Sequence, residues 1–321
     1  MTMKILFIST INGKLDEGMR NVATHIAKGL EVHNIVRRIQ LKDFKKLLKN
    51  LFWCEQVLIC ARADKKMYML LRFITIFKHC SAIIVQRPTS DYLDLIKRYP
   101  LRILYFTISN YDTDCIPHLT ADQVVKINVG IDADKFRGVD CEQQKIIKKE
   151  LGIQIEKPLI IHVGHCSSGR KVERICRLNP EKFERIVITS GMFEDGTVRA
   201  LLDSNNVKVL SGYIPNIEKY YQAADAYIFP TDSGDYVISI PLSVMEALSS
   251  GTAVVAFDKL SGLKEIEVTV PSALQLITDE DGIESAIEAA IHLKTSESYL
   301  KHPYSWDEIA GIVSSRLESN T

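Results

Sequence analysis

The chain contains no Cys-x-x-Cys pair, no His-Glu-x-x-His or comparable ligand spacing, and no low-complexity tract. Its longest apolar stretch, "MYMLLRFITIF", carries Arg72 and falls far short of the ~20 residues that span a bilayer. These absences exclude a zinc ribbon, a thioredoxin-type redox motif, a helical zincin and a transmembrane span. Seven cysteines, at positions 54, 60, 80, 115, 141, 166 and 176, are an odd number in a long chain and are expected to be reduced and structural. The N-terminal "MTMKILFISTINGKLDEG" lacks a cleavage-site pattern and reads as a first strand, so a cytoplasmic protein is expected.

Charge is balanced overall, with 40 basic and 40 acidic residues, but not along the chain. Residues 1–133 hold 20 Lys and Arg against 12 Asp and Glu, a balance of +8, so the remainder carries −8. A basic N-terminal half suits an anionic partner such as a membrane surface or a phosphate-bearing acceptor; solvated surface lysines explain it equally well. The segment "LKDFKKLLKNLFW" (41–53) sharpens the choice. Its lysines alternate with Leu, Phe and Trp at helical spacing, as on a helix lying on an anionic membrane, although a core-facing amphipathic helix is the better reading. No nucleic-acid motif accompanies the basic excess, and nucleic acid is not expected as a partner.

Short β-branched runs alternate with amphipathic segments, the first of these from Glu17 to Leu30. The runs are "KILFIST" (4–10), "HNIVRRI" (33–39), "QVLICA" (56–61), "AIIVQ" (82–86), "RILYFTIS" (102–109) and "VVKIN" (124–128). After the turn-rich "NVGIDADKFRG" (128–138) the pattern restarts with "PLIIHVG" (158–164), "RIVITSG" (185–191), "VKVLSGYI" (207–214), "AYIFPT" (226–231), "AVVAFD" (253–258) and "ALQLIT" (273–278). This is the pattern of two parallel sheets wrapped by helices. Ligand is expected in a cleft facing the carboxyl ends of their strands. The division expected is 1–133, an acceptor-side domain; 134–303, a nucleotide-sugar-binding domain; and 304–321, a final helix capped by Ser305 that packs back toward the first. Trp306 is expected to pack against a domain.

Two stretches carry chemistry. In "ISIPLSVMEALSSGTAVVA" (238–256), Pro241 suits the first turn of a helix that Gly251 closes. The preceding "VISI" loop would then aim its N–H groups at an anion, at the positive end of the helix dipole. Glu246, about one and a half turns in, would reach a hydroxyl pair beside the phosphate; the bland alternative is an exposed helical Glu. In "IHVGHCSSGRKVERI" (161–175), a strand enters a Gly/Ser-rich loop and then two cations at a helix start, Arg170 and Lys171, which could face a diphosphate. The spacing is not that of a P-loop.

Together these stretches resemble the GT-B fold retaining glycosyltransferases of the large mannosyl- and glucosyltransferase family, group 1. The resemblance runs in order through "NVGIDADKF", "GYIPNIEKYYQAADAYIFPT", "PLSVMEALSSGTAVVA", "SGLKE" and "YSWDEIA". It implies an α/β chain of two Rossmann-like, doubly wound domains facing each other across a cleft. It implies Lys171 as the phosphate-binding lysine, with Arg170 beside it, and Glu246 as the ribose ligand. Tyr213 and Ile214 fall where the backbone meets the base, and Ser239, Ile240 and Leu242 in the loop that meets the donor sugar and pyrophosphate. Gly18 is similar to the glycine loop that approaches the diphosphate.

Three positions depart from the family pattern. The first glutamate of its Glu-x7-Glu motif falls on Ile238, an arginine is replaced by His165 in the donor-binding set, and a histidine by Gln86. A hydrogen bond to a charged group is worth roughly 1.5–3 kcal/mol, so each loss costs about one to two decades. Arg170 could replace the lost cation, and Asp232 or Asp235 could supply a carboxylate to the sugar.

The implied activity is retaining, metal-independent transfer of a sugar from a UDP- or GDP-linked donor to a glycan or lipid-linked acceptor, without a cofactor. Two alternatives remain: a catalytically idle nucleotide- or partner-binding protein of this fold, and a sugar-nucleotide 2-epimerase, away from which "PLSVMEAL" and "YSWDEIA" point.

Overall fold

The computed structural model describes residues 2–9, 18–40, 43–192 and 194–320; Glu17, Leu41 and Lys42, which the sequence assigns to helical segments, lie outside them. Two compact units emerge. One comprises Met1–Gly130, Ile238–Ile240 and Tyr304–Thr321, the other Ile131–Val237 and Pro241–Pro303.

The first unit is a parallel sheet of β1 (Lys4–Ser9), β2 (Ile35–Gln40), β3 (Gln56–Cys60), β4 (His79–Ile84), β5 (Leu104–Thr107) and β6 (Val124–Lys126), in the order β2-β1-β3-β4-β5-β6. The central strands are continuous apolar runs because both of their faces are covered, whereas the edge strand β2 alternates. Register is in step, with Ile5 opposite both Gln56 and Val36. On one face Leu6, Ile8, Val57 and Ile59 pack against helices Phe44–Leu51, Lys65–Ile74 and Ser90–Arg98. Each such side chain, fully buried, is worth about 1.5–3 kcal/mol.

Helix Phe44–Leu51 follows the core-facing reading. Leu47 and Leu51 are buried, while Lys45, Lys46, Leu48 and Lys49 are exposed, as is Phe52 just beyond it. The Arg37 guanidinium lies 3.9 Å over the Trp53 ring, so that tryptophan is half-buried against its own unit.

Helix Gly18–Glu31 buries Val22, Ala23, Ile26, Ala27 and Leu30 and packs on the C-terminal helix, Trp306–Glu318. Gly29 allows the close approach, since a Cβ there would sit 2.4 Å from that of Ala310. Trp306 stacks on His25 with ring centroids 4.7 Å apart, and a Cβ on Gly130 would meet its ring at 2.5 Å. Ser305 caps this helix in a reciprocal box with Glu308.

The second unit repeats the plan with β7 (Leu159–Val163), β8 (Glu184–Thr189), β9 (Lys208–Ser211), β10 (Ala226–Phe229), β11 (Val254–Phe257) and β12 (Leu274–Ile277), in the order β12-β11-β10-β7-β8-β9. All its strand pairs are parallel. Ile160, Val187, Ile228 and Val255 form the core on one face with Val198, Leu202, Ile283 and Ile287. From β7 the chain winds outward one way and from β10 the other, so the reversal of strand order lies between β7 and β10. Ligands of open parallel sheets bind beyond the strand ends at such a reversal.

Candidate functional site

The loops that leave β7 and β10 build the candidate site. After β7 the chain runs through Gly164–Ser167 into two short 3-10 turns, Ser168–Arg170 and Val172–Arg177. No α-helix begins at the two cations, contrary to the sequence expectation. Lys171 instead joins the turns in the left-handed conformation, at φ 55° and ψ 33°. A non-glycine residue there is strained, and such strain persists where the surroundings impose it. Its ammonium makes no ion pair or hydrogen bond among the described residues, and the side chain is part-exposed.

Two contacts hold the loop. Thr231 Oγ1 donates to the Arg170 carbonyl at 3.1 Å, and the Tyr236 ring lies so close over Gly169 that a Cβ there would be 2.5 Å from it. A stronger clamp follows. The nearly buried Arg174 donates to Glu280 at 2.9 Å, to the Pro230 carbonyl at 2.7 Å and to Asp232 at 2.7 Å, with its guanidinium 4.0 Å over Phe257. It ties the turn to the ends of β10, β11 and β12, and holds the Glu280 carboxyl below its ordinary range. Asp232, expected as a sugar contact, pairs with Arg174 through Oδ2. Asp235 is exposed in the 3-10 turn Gly234–Tyr236.

Beyond β10 the helix Leu242–Ser249 begins, with Pro241 as its N-cap, one position earlier than the sequence placed it. The amides of Leu242 and Ser243 find no acceptor among the described residues, leaving positive helix-end charge unmatched. Ser239 differs from expectation. Its N–H donates to the Val85 carbonyl at 2.8 Å and its hydroxyl to the buried Asp112, so both of its donors are used within the first unit. Ile240 and Leu242 are buried, Ile240 in the first unit and Leu242 in the second. At the other end Gly251, at φ 65°, closes a Schellman motif: its N–H bonds Leu248 O at 3.2 Å, and Thr252 N–H bonds Ala247 O at 3.0 Å.

Glu246 is part-exposed by surface, yet its carboxyl is crowded on every other side. Burial pushes it up to about 7; the hydrogen bond from Tyr221 and the charge of Lys135 act in the opposite direction. The Tyr221 hydroxyl donates to Oε2 at 2.8 Å. The other carboxylate oxygen accepts no hydrogen bond among the described residues. Beneath them, His162 is fully buried with Nδ1 3.1 Å from the Ile228 carbonyl, and burial pushes it down to about 3. It stays neutral and serves as packing, not as a base.

His165 Nδ1 lies 3.3 Å from Ser190 Oγ. Tyr213 is 51% exposed beside Ile214, just past Gly212 at φ 105°. Within the first unit Gly18 opens its helix against the buried Ile238, whose Cδ1 would lie 3.1 Å from a Cβ at position 18. Gln86 is buried beside Val85. Sequence reasoning missed Tyr221, Lys135 and Asp112, because each acts through a partner far along the chain.

Three Asp-x-Asp triplets occur, at 112–114, 132–134 and 279–281, a spacing able to hold a metal against phosphates. Their carboxylates serve local structure: Asp112 takes Ser239, Asp132 accepts from the Lys135 amide, and Asp279 from those of Asp281 and Gly282. Among the described residues no group of three ligating side chains could hold an ion.

Residues 164–295, the stretch that contains this site, match the family model of the glycosyl transferases group 1. No curated protein sequence matches the chain. Solved structures do. HepE of Anabaena in complex with UDP is similar at a TM-score of 0.77 and 14% identity, over 99% of this chain and 100% of that one; its complex with UDP-glucose gives the same values. The sucrose-phosphate synthase of Thermosynechococcus elongatus is similar at 0.78 and 13%, with the same coverage. WaaG, a glycosyltransferase involved in lipopolysaccharide biosynthesis, is similar at 0.68 and 14%, over 98% of this chain and 95% of that one. The α/β chain therefore has the GT-B fold, with the match to the group 1 glycosyl transferases confined to residues 164–295.

Proposed function

We propose that the protein is a retaining glycosyltransferase that takes a nucleotide-diphosphate sugar as donor and a glycan or lipid-linked hydroxyl as acceptor. The observation that carries this reading is that the loops at the β7/β10 reversal and the helix Leu242–Ser249 after them hold a cation, helix-end amides and a carboxylate oxygen that have no partner among the described residues. Lys171 and Arg170 with the amides of Leu242 and Ser243 would hold the diphosphate, and Glu246 the ribose diol. Tyr213 and Ile214 would offer backbone to the base, and His165 would lie near the donor. HepE, bound to UDP and to UDP-glucose in its crystals, supports UDP as the first nucleotide to try.

In the reaction the bond from the anomeric carbon to the phosphate oxygen breaks, and the bond to the acceptor oxygen forms on the same face. The acceptor proton passes to the departing phosphate oxygen. Fixed cations and amides meet the charge that develops there, in a position they hold before the reaction begins. This chemistry calls for neither a cofactor nor a protein nucleophile, and the positive charge of this chain is offered in place of a metal.

The test is calorimetry of the purified protein with UDP, GDP, ADP and their sugar conjugates, repeated with Lys171→Ala and Glu246→Ala. One nucleotide should bind, and each substitution should weaken it by about 10- to 100-fold. No binding by the unaltered protein would overturn the reading.

A second reading, a nucleotide-binding protein without turnover, is favoured by one observation: Ile238 is buried against Gly18 where the resemblance calls for a carboxylate. Release of free sugar or its transfer from a bound donor separates the two.

For the acceptor, exposed Lys45, Lys46, Lys49, Leu48 and Phe52 form a basic and apolar face suited to the anionic, cytoplasmic side of a membrane. Among the described residues no helix is long and apolar enough to cross one. Co-sedimentation with phosphatidylglycerol vesicles but not with phosphatidylcholine vesicles is expected, and equal recovery with both would discard the idea.

A further inference from the structure

Glu246 is held from behind by a buried aromatic ladder. Tyr221 is fully buried, its ring 5.7 Å from Phe136 at a steep angle and 5.9 Å from Tyr227, nearly parallel. The Tyr221 carbonyl accepts from Thr252 Oγ1 at 2.8 Å, and Lys294 Nζ donates to that same Oγ1 at 2.7 Å and to Ser250 O at 3.1 Å. The backbone of Tyr221 is therefore pinned to the C-terminal end of the helix bearing Glu246. Tyr227 completes the frame. Its hydroxyl bonds Ser243 Oγ, one turn before Glu246 on that helix, at 2.9 Å and the carbonyl of Val163 at the end of β7 at 3.2 Å.

Within this frame the Tyr221 hydroxyl donates to Oε2 of Glu246 at 2.8 Å. We propose that Tyr221 is a positioning residue for the ribose carboxylate: it occupies one oxygen of Glu246 and turns the other toward the ligand. The inference rests on the reading of Glu246 as a ribose ligand and adds the means by which that ligand is set.

The charged and titratable neighbours of Glu246 are few. Tyr221 faces it from helix Ile217–Ala223, Tyr227 from β10, and Lys135 from the segment before helix Cys141–Glu150, where it pairs with Glu218 at 3.4 Å. Burial raises the Tyr221 hydroxyl well above its ordinary range, so it remains a donor throughout. Burial of Glu246 favours the neutral acid, whereas the Tyr221 bond favours the carboxylate. Nucleotide affinity should accordingly fall as the pH drops through about 7.

The experiment is carboxyl carbon NMR of the ligand-free, glutamate-labelled full chain, with Glu246 assigned through Glu246→Gln, in the unaltered protein and in Tyr221→Phe. The Phe variant should move the Glu246 midpoint up by about one to two pH units, and the acid limb of UDP affinity with it. A role in packing alone would leave the midpoint in place. An unmoved midpoint overturns the proposal even if affinity and melting temperature fall.

Should the variant fail to fold, the unaltered protein supplies the test: the Tyr221 ring carbon bearing the hydroxyl must shift with the midpoint of Glu246, and its indifference overturns the proposal. The functional reading fails differently, by absence of nucleotide binding at every pH with the coupled titration intact.

Discussion

Replacing Glu246 by Gln should stabilise the protein while weakening its site. The carboxyl is raised from an ordinary 4.5 to about 7 by burial. Below pH 4.5 it is protonated in the folded and the unfolded chain alike and contributes nothing. Between pH 4.5 and 7 the unfolded chain releases the proton that the folded chain retains, so stability falls as pH rises. Above pH 7 the cost is complete, and the shift corresponds to about 3 kcal/mol. Gln keeps the shape and can accept from Tyr221, but it carries no charge to desolvate. Glu246→Gln should therefore match the natural protein at pH 4.5 and exceed it by about 2–3 kcal/mol at pH 8, which is several degrees for a unit of this size. Nucleotide affinity at pH 8 should fall by about 10- to 100-fold. Calorimetric melting between pH 4.5 and 8.5, with and without UDP, reads both. A stability difference independent of pH, or a loss at pH 8, would refute the argument that this carboxylate is held at a cost in stability.

Other substitutions probe the frame around it. Lys171→Gly should be more stable than Lys171→Ala by about 1 kcal/mol, because only glycine is free of strain at φ 55°, while both lose nucleotide affinity alike; equal denaturant midpoints would remove strain from the account. Arg174→Met should cost about 1.5–3 kcal/mol by leaving Asp232 without its cation and Glu280 with Arg177 alone, and urea unfolding would show it. Gly130→Ala should cost about 1–3 kcal/mol, since its Cβ would press on Trp306; an unchanged melting temperature would mean the ring moves freely.

Much of the architecture was legible from residue order alone. Alternating β-branched runs and amphipathic segments foretold two parallel sheets, because a strand covered on both faces has to be apolar throughout, as β3 is. Local devices were equally readable. Gly251 closes its helix and Ser305 caps another because each acts within a few residues of itself. The resemblance, in order from "NVGIDADKF" to "YSWDEIA", pointed to the loops of the candidate site for the same reason, since each loop is a continuous stretch of sequence.

What the tertiary structure alone decided is how the side chains on those loops are committed. Lys171 sits between two 3-10 turns because Arg174 anchors the second turn to three strand ends, a clamp whose partners lie 58 and 106 residues away. The same clamp engages Asp232 through one carboxylate oxygen. Ser239 reads in sequence as part of a phosphate loop, but its N–H and hydroxyl are used by Val85 and Asp112. Tyr221, unremarkable in its helix, governs Glu246 from 25 residues away. Residue order specifies short-range conformation and burial pattern, whereas the partner of a polar group depends on which distant segment the closed core brings within hydrogen-bonding distance. At that range a single sequence carries no signal.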